Sequence, residues 1–486
     1  MKAEIFSRPA RLGAALSGMS EEAVEHLFVK KKVLVQLETD FCGVQDARET
    51  FLFAVNQLLR FCPNISVSIK KDSIDLIRVS RELAAQVHGP HATVEVVNGA
   101  KPSYGFDAVV NVGVEILPTV RSVTVNSGGW TARVATGDSG AQTLHWKLGE
   151  PNALGALAAA CLGAGAAFLF LLEIPTTRLT EISLFTHEAG LPGSLAMGPP
   201  QPASPLYLDG FLVGCGAVAH GWAYAVKRLP IAGRLQAVDR QSLRVENLGP
   251  YVAARQSSVG KSKAGVIKEL LSPNIDVKDR PDQWEFFKIR LLRELNLAPL
   301  VITGLDNVTT RHSVQRLWPE TLIDMGAGQL QSQVIVKHRK GDGLCVLRGL
   351  SVPPAEVEWA QDLARVTGLD PTLIAKEPTG EITQAEIEVA PANKQAELQK
   401  ALGRPRCGYI NRQSLEMEGL DPHFAPAVPF VTALTGVVAA AETMKWLMGH
   451  RYPHSLYFQK NFESGRSKAL ELKCESSCEC QSLAAQ

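Results

Sequence analysis

A chain of 486 residues with 45% hydrophobic side chains is long enough for two or three domains with sizeable cores. Its 50 basic side chains balance 49 acidic ones, so no overall positive field marks it for nucleic acid. The 9 cysteines form no dense framework, and Met1-Lys2-Ala3-Glu4 does not open the basic-then-apolar pattern of a secretory signal, so a reducing cytoplasmic setting is expected.

Val33-Leu34-Val35 reads as a first strand and Ala47 to Phe61 as an amphipathic helix. Asn64 to Val67 and Phe106 to Gly113 read as further strands. Ala153 to Leu172 carries no charge and is about the length a bilayer needs. Its Ala- and Gly-rich start and the lack of a basic flank favour a buried helix over a membrane span. The run Gly190 to Pro205 is crowded with Pro, Gly and Ser and reads as a linker.

Beyond the linker, strand-like and helix-like runs alternate. Leu212-Val213 ends a strand, Ala219 to Leu229 is helical, Leu235 to Val238 is a strand and Ser262 to Leu271 a helix. Leu300 to Ile302 and Leu322-Ile323 are buried strands, and a long apolar helix runs from Pro429 to Leu447. This alternation predicts a parallel, doubly wound α/β sheet. The first part repeats the plan in degraded form. Asn64 to Val67 parallels Asn274 to Val277, FDAVVNVG parallels APLVITG, and the two long apolar helices correspond. No glycine turn follows its first strand. The expected fold is therefore α/β, with tandem doubly wound Rossmann-like domains, an incompetent one first. Gly341 to Arg406 is polar and breaks the rhythm, as a long crossover or insertion would.

The chemistry gathers between Leu212 and Arg311. Gly214 and Gly216 follow a strand and open a helix, where a backbone without Cβ atoms can approach phosphate and the helix N-terminus offers N–H groups. Gly221 is wrongly spaced for a dinucleotide fingerprint. Asp239 ends the next strand, where a carboxylate can accept ribose hydroxyls, although a strand-end Asp is also ordinary. Lys263 starts a helix and could lie over polyphosphate, or be a solvated helix lysine. Asp306 follows a buried strand at the carboxyl edge of the sheet, a place for Mg²⁺ beside phosphate oxygens. Arg311 could offset charge or pair on the surface.

Read together, VGCGAVAHG, AVDRQ, VENLG, VGKSK and GLDNVTTR resemble the adenylation domain of the ubiquitin-activating and sulfur-carrier-activating ThiF/MoeB-type family, over roughly half the chain. The resemblance implies ATP and Mg²⁺ bound by Gly214, Gly216, Ala217, Asp239, Asn247, Lys263, Asp306, Asn307 and Arg311, with Asp306 holding the metal. Two departures stand out. Pro250-Tyr251 occupies the place of the family's Arg-Gln, for which Arg255-Gln256 is a substitute, and Gln241 replaces a second acid. Paired members send an arginine from the partner half to the phosphates, and Arg8 and Arg11 are the candidates.

The same resemblance implies adenylation of the C-terminal glycine of a ubiquitin-like protein, then a thioester on Cys407, with Cys345 as the rival nucleophile. Arg404 and Arg406 upstream would lower the Cys407 thiol pKa. Cys345, Cys474, Cys478 and Cys480 could form a structural Zn²⁺ site, or the terminal three could belong to a disordered tail. The fused tandem is similar to eukaryotic ubiquitin-activating enzymes and to the compact bacterial Bil type used against phage. The implied domains are an inactive adenylation domain (1–190), a linker (191–206), the nucleotide-binding part of the active domain (207–340), a crossover with the catalytic cysteine (341–427) and a closing helix, strand and Cys-rich tail (428–486). A monomer with an internal pseudo-dimer, handing its cargo to a conjugating enzyme, is expected. No nucleic acid or membrane partner is expected. A sulfur-carrier activator and a nucleotide-binding scaffold without catalysis are the alternatives.

Overall fold

The computed structural model describes the chain except residues 1, 71–72, 90–91, 93, 98–104, 120, 147–148, 283, 285–286, 288–298, 307, 340–344, 347–349, 351–363, 366, 377–380, 405, 407–408, 410–426, 453–454, 473–477 and 479–486. The N-terminal half begins with α1 (Lys2–Ser17) and α2 (Glu21–Lys30), which lead into β1 (Val33–Leu37). There follow α3 (Gln45–Leu58), β2 (Ile65–Ser68), α4 (Ile74–His88), β3 (Glu95–Val96), β4 (Ala108–Val112), β5 (Ser122–Gly128) and β6 (Thr131–Thr136). This half ends with α5 (Ala153–Leu171), β7 (Leu179–Ser183) and β8 (Ala189–Gly190). Residues 191–205 form neither helix nor strand, and the C-terminal half starts at β9 (Leu206–Val213).

The C-terminal half continues with α6 (Ala217–Val226), β10 (Ile231–Val238), α7 (Lys263–Leu271), β11 (Ile275–Arg280), β12 (Leu300–Thr303), α8 (Val308–Gln315), β13 (Thr321–Gly328) and β14 (Gln331–His338). Helices α9 (Pro371–Lys376), α10 (Gln384–Val389) and α11 (Ala392–Lys400) belong to a second compact unit, Leu350–Ala425. The larger unit resumes with α12 (Pro429–Leu447), β15 (Ser455–Asn461) and β16 (Ser467–Leu472).

The halves carry 8-stranded sheets of one topology: β3-β2-β1-β4-β5-β6-β7-β8 and β11-β10-β9-β12-β13-β14-β15-β16. The sheets are mixed, which corrects the expectation of an all-parallel one. Pairing is parallel as far as β5 and β13, then antiparallel outward from them. The reversal comes from tight turns that need no crossover helix. Gly129 has φ 58° between β5 and β6, and Gln329 has φ 49° between β13 and β14.

Helix α5 is buried from Leu154 to Leu171 and packs on its own sheet and on α12. Its small residues make the approach possible: a Cβ at Gly155 would lie 2.4 Å from the Gly129 carbonyl oxygen. The same logic joins α6 to α12, where a Cβ at Gly436 would lie 2.1 Å from the Trp222 nitrogen and one at Gly221 2.8 Å from the Thr432 oxygen. Gly221 is therefore a helix-packing residue. Phe61, Phe168 and Phe430 cluster across the halves, with Phe168 5.3 Å from each of the other two ring centroids. A buried polar network also crosses the halves. His187 lies 2.6 Å from the Glu442 carboxylate, and Lys445 donates to the Phe185 carbonyl at 3.0 Å and the Tyr452 hydroxyl at 2.6 Å.

The second unit has its own small core, including Leu369, Ile374, Ile382, Ile387 and Leu398. Thr383 and Glu386 form a reciprocal capping box at the start of α10. Arg406 is buried and donates to both Glu386 carboxylate oxygens, at 2.6 and 2.9 Å.

Candidate nucleotide-binding site

The carboxyl ends of β9, β10 and β12 converge where the strand order reverses, the usual ligand crevice of an open α/β sheet. β9 delivers Gly214 at φ 82°, a left-handed conformation that favours glycine. A Cβ there would stand 2.9 Å from the Leu305 side chain and 3.0 Å from the Gly304 backbone, so the turn and the loop after β12 touch. Gly216 then opens α6 with Ala217 as its first residue, and among the described residues no side chain caps the leading N–H groups.

Asp239 ties this turn to the next strand. Its carboxylate accepts the Cys215 N–H at 2.8 Å and the Gln241 N–H at 2.7 Å. Gln241, in the slot of the family's second acid, accepts from Lys263 Nζ through its side chain and from the Lys263 N–H at 2.9 Å. Lys263 is 7% exposed and lies over the Tyr251 ring, 5.4 Å from its centroid. Burial opposes its charge, but the Tyr251 oxygen and Asp239 outweigh burial and hold its pKa above the ordinary lysine value. The ammonium is thus charged, buried and poised beside the glycine turn.

Tyr251 is the site residue that motif reading missed. Its hydroxyl lies 3.8 Å from where a Gly216 Cβ would stand, and its ring packs 4.7 Å from His220. The N-terminal half holds its loop in place. Arg60, 2% exposed, donates to the carbonyls of Leu248, of Val252 at 2.8 Å and of Ala254 at 3.2 Å. Asn56 donates to the same Val252 carbonyl at 3.0 Å. A buried, basic residue in the turn after α3 of the other half gave no motif signal.

Burial, with Lys263 and Arg60 nearby, pushes the His220 imidazole down to about 3. It is neutral at physiological pH.

The remaining expected residues separate into distinct environments. Arg8, on α1, lies close enough for its charge to act on Lys263, and α1 packs against the short helical turn Val245–Leu248. Arg11 instead faces α2, with Nε 3.7 Å from the Glu21 carboxylate. Asn247 is buried and accepts the Arg244 N–H at 2.9 Å, so its side chain holds the turn. Arg255 is exposed, while Gln256 donates to the Val87 carbonyl of the other half at 2.8 Å. Asp306 is exposed at the edge of β12. Asn307, Cys407, Cys474 and Cys480 lie outside the described residues.

Arg311 is turned into the sheet: its guanidinium grips the buried Asp324 carboxylate, with Nε at 2.9 and 3.1 Å. This corrects the expectation that its charge serves phosphate. Arg311→Ala leaves Asp324 buried without its cation and is expected to cost about 3–5 kcal/mol of stability. Denaturant unfolding measures this. Unchanged stability with weakened ATP binding would return Arg311 to the crevice.

The N-terminal half has the same edge with a different occupant. Glu38, after β1, accepts the N–H of Val114 at 2.9 Å, that of Glu115 at 2.8 Å and the Asn111 amide at 2.6 Å. A Cβ at Gly113 would stand 2.0 Å from its carboxyl carbon. A carboxylate of the chain itself therefore fills the position equivalent to the phosphate-side turn.

Cys345 and Cys478 bring their sulfurs to 3.5 Å in a buried contact without forming a disulfide. Among the described residues no cluster of three or more metal-ligating side chains occurs.

Residues 209–482, more than half of the chain, match the ThiF family. A Sinorhizobium fredii protein described as uncharacterized protein y4jF is 26% identical over 337 residues, a match covering 67% of this chain. The same match spans 61% of that relative's length, less than two thirds. On the strength of the family match, the chain belongs to the ThiF family.

Proposed function

We propose that the C-terminal half adenylates the C-terminal glycine of a ubiquitin-like protein and that the chain then carries it as a thioester. ThiF-family enzymes in general use ATP and Mg²⁺ to adenylate carrier or ubiquitin-like proteins. The observation that carries the reading is Lys263, buried under Tyr251, held by Gln241 and set beside Asp239 and the glycine turn. A carboxylate oxygen attacks the α-phosphorus, the α–β phosphoanhydride bond breaks, and pyrophosphate leaves. The protein's part is positioning and charge compensation. Gly214, Gly216, Ala217 and the α6 N-terminus receive phosphate oxygens, Asp239 the ribose, and Lys263, with Arg8 and Arg255, offsets developing charge. Asp306, exposed at the sheet edge, fits a Mg²⁺ ligand, and Asn307 follows it in sequence. The bound ion would supply further neutralisation of phosphate charge.

We assign residues 1–190 as the inactive adenylation domain, because Glu38 stands where Gly214 turns in the other half and its carboxylate binds the loop after β4. Residues 207–340 and 428–486 form the active one, joined by the crossover 341–427 with Cys407. The Cys407 thiolate attacks the acyl carbon and AMP leaves, giving a thioester for a conjugating enzyme. A cytoplasmic monomer of the compact bacterial Bil type, working in antiphage defence, is the setting this reading favours. The test is ATP–pyrophosphate exchange by the purified chain, with and without a small protein of ubiquitin-like fold ending in glycine. Exchange that requires the small protein supports adenylation. Exchange without any thioester moves the assignment to sulfur-carrier activation, and no exchange leaves a nucleotide-binding scaffold.

Cys345 and Cys478 also fit two corners of a Zn²⁺ site, with Cys474 and Cys480 as the other ligands. Thiolates about 2.3 Å from zinc in a tetrahedron stand about 3.8 Å apart, near the observed separation. Metal analysis is expected to find one zinc per chain, lost with cooperative unfolding in Cys345→Ser. A zinc-free, fully stable wild type would contradict this site.

A further inference from the structure

Lys460 on β15 is 2% exposed, and its ammonium donates to the Gly465 carbonyl at 2.7 Å. It forms no ion pair among the described residues. Its charged neighbour is another cation. Arg178, just before β7, donates to the Phe462 carbonyl at 2.9 Å and to that of Glu463. Burial, with the Arg178 charge added, pushes the Lys460 ammonium down to about 7. Asp138 is the acid acting on Arg178, and it is held by the hydroxyls of Thr136 at 2.5 Å and Thr177 at 2.7 Å.

Between the two cations lies a cavity of ≈ 20 Å³, lined by Thr176, Arg178 and Lys460 over an apolar floor that includes Val134, Leu162 and Phe462. Thr176 is 5% exposed, and among the described residues its hydroxyl oxygen has no hydrogen-bond partner. Among the described residues no acidic side chain lines the cavity. A buried ammonium beside a guanidinium is costly unless a counter-charge joins them. The space admits one particle of about the size of a water molecule, too little for a phosphate or carboxylate group.

We propose that this cavity binds a single halide ion, held by Lys460, Arg178 and the Thr176 hydroxyl. The ion clamps the start of β7 in the N-terminal half to the β15–β16 hairpin of the C-terminal half.

Thermal unfolding of the full chain in potassium chloride and in potassium gluconate, at equal ionic strength and pH 7, tests the site. Chloride is expected to raise the midpoint saturably, by about 2 °C or more. Lys460→Met is expected to melt at the same temperature in both salts, and Thr176→Val to need several-fold more chloride for half its effect. A crystal soaked in bromide should show an anomalous peak beside Lys460 Nζ. Equal wild-type midpoints, or the same chloride gain in Lys460→Met, would overturn the proposal. If Lys460→Met does not fold, an unchanged chloride requirement in Thr176→Val overturns it. Phosphate acting as well as chloride would overturn the size argument.

Discussion

Lys263→Met is expected to slow adenylation by at least about 100-fold, the loss typical of removing one preorganised donor from developing charge. The wild-type ammonium is enclosed and oriented. Gln241 fixes it by hydrogen bond, the Tyr251 ring covers it, and Asp239 favours its charged form. Such a group needs little reorganisation when charge builds on phosphate, whereas a solvated lysine would. Methionine keeps most of the volume and leaves no unpaired charge, so the fold should survive. Pyrophosphate exchange alongside a melting curve separates the two effects. Full activity with a normal melt would remove Lys263 from the mechanism. A comparable loss in Arg11→Ala, whose cation faces Glu21, would show that the assay reads general damage.

Cys407→Ala is expected to abolish the thioester while adenylation stays within about threefold of wild type, since the thiol acts only after the adenylate forms. The rival nucleophile is weakened by its surroundings, because Cys345 is fully buried with its sulfur 3.5 Å from Cys478. The electrostatic support expected for Cys407 is also reduced: Arg406 is neutralised by Glu386, which leaves Arg404, exposed, as the upstream cation. A non-reducing gel reads the outcome. An ATP-dependent adduct that thiol reagents reverse should disappear in Cys407→Ala, and its persistence there would assign the acyl group to another residue.

Much of the fold was legible because it rests on local pattern. The helix Pro429–Leu447 has the boundaries its apolar run predicts, and β1, β4, β9, β10 and β12 lie where the short apolar runs stand. The antiparallel outer strands escaped, because Ser122–Gly128 and Thr131–Thr136 do not differ in composition from parallel strands. Their direction is set by a turn at Gly129. The glycine turn, Asp239 and Lys263 were legible by type and order, and the fold brings them together. Tyr251 and Arg60 were not, since each acts across a long sequence separation through packing or backbone carbonyls. Arg311 looked functional by position, yet an acid on a neighbouring strand decides its role. Glu38 carried no signal at all: its significance appears only when the equivalent edges of the two sheets are compared.

The most direct measurement is transfer of label from ATP to a small protein of ubiquitin-like fold ending in glycine, in the presence of Mg²⁺ and the purified Cys407→Ala chain. ATP labelled in the α-phosphate should give one labelled acyl adenylate per chain, formed at least about 100-fold more slowly in the additional variant Lys263→Met. Label arriving from the γ-phosphate, or no label from either position with a folded partner, would contradict the account.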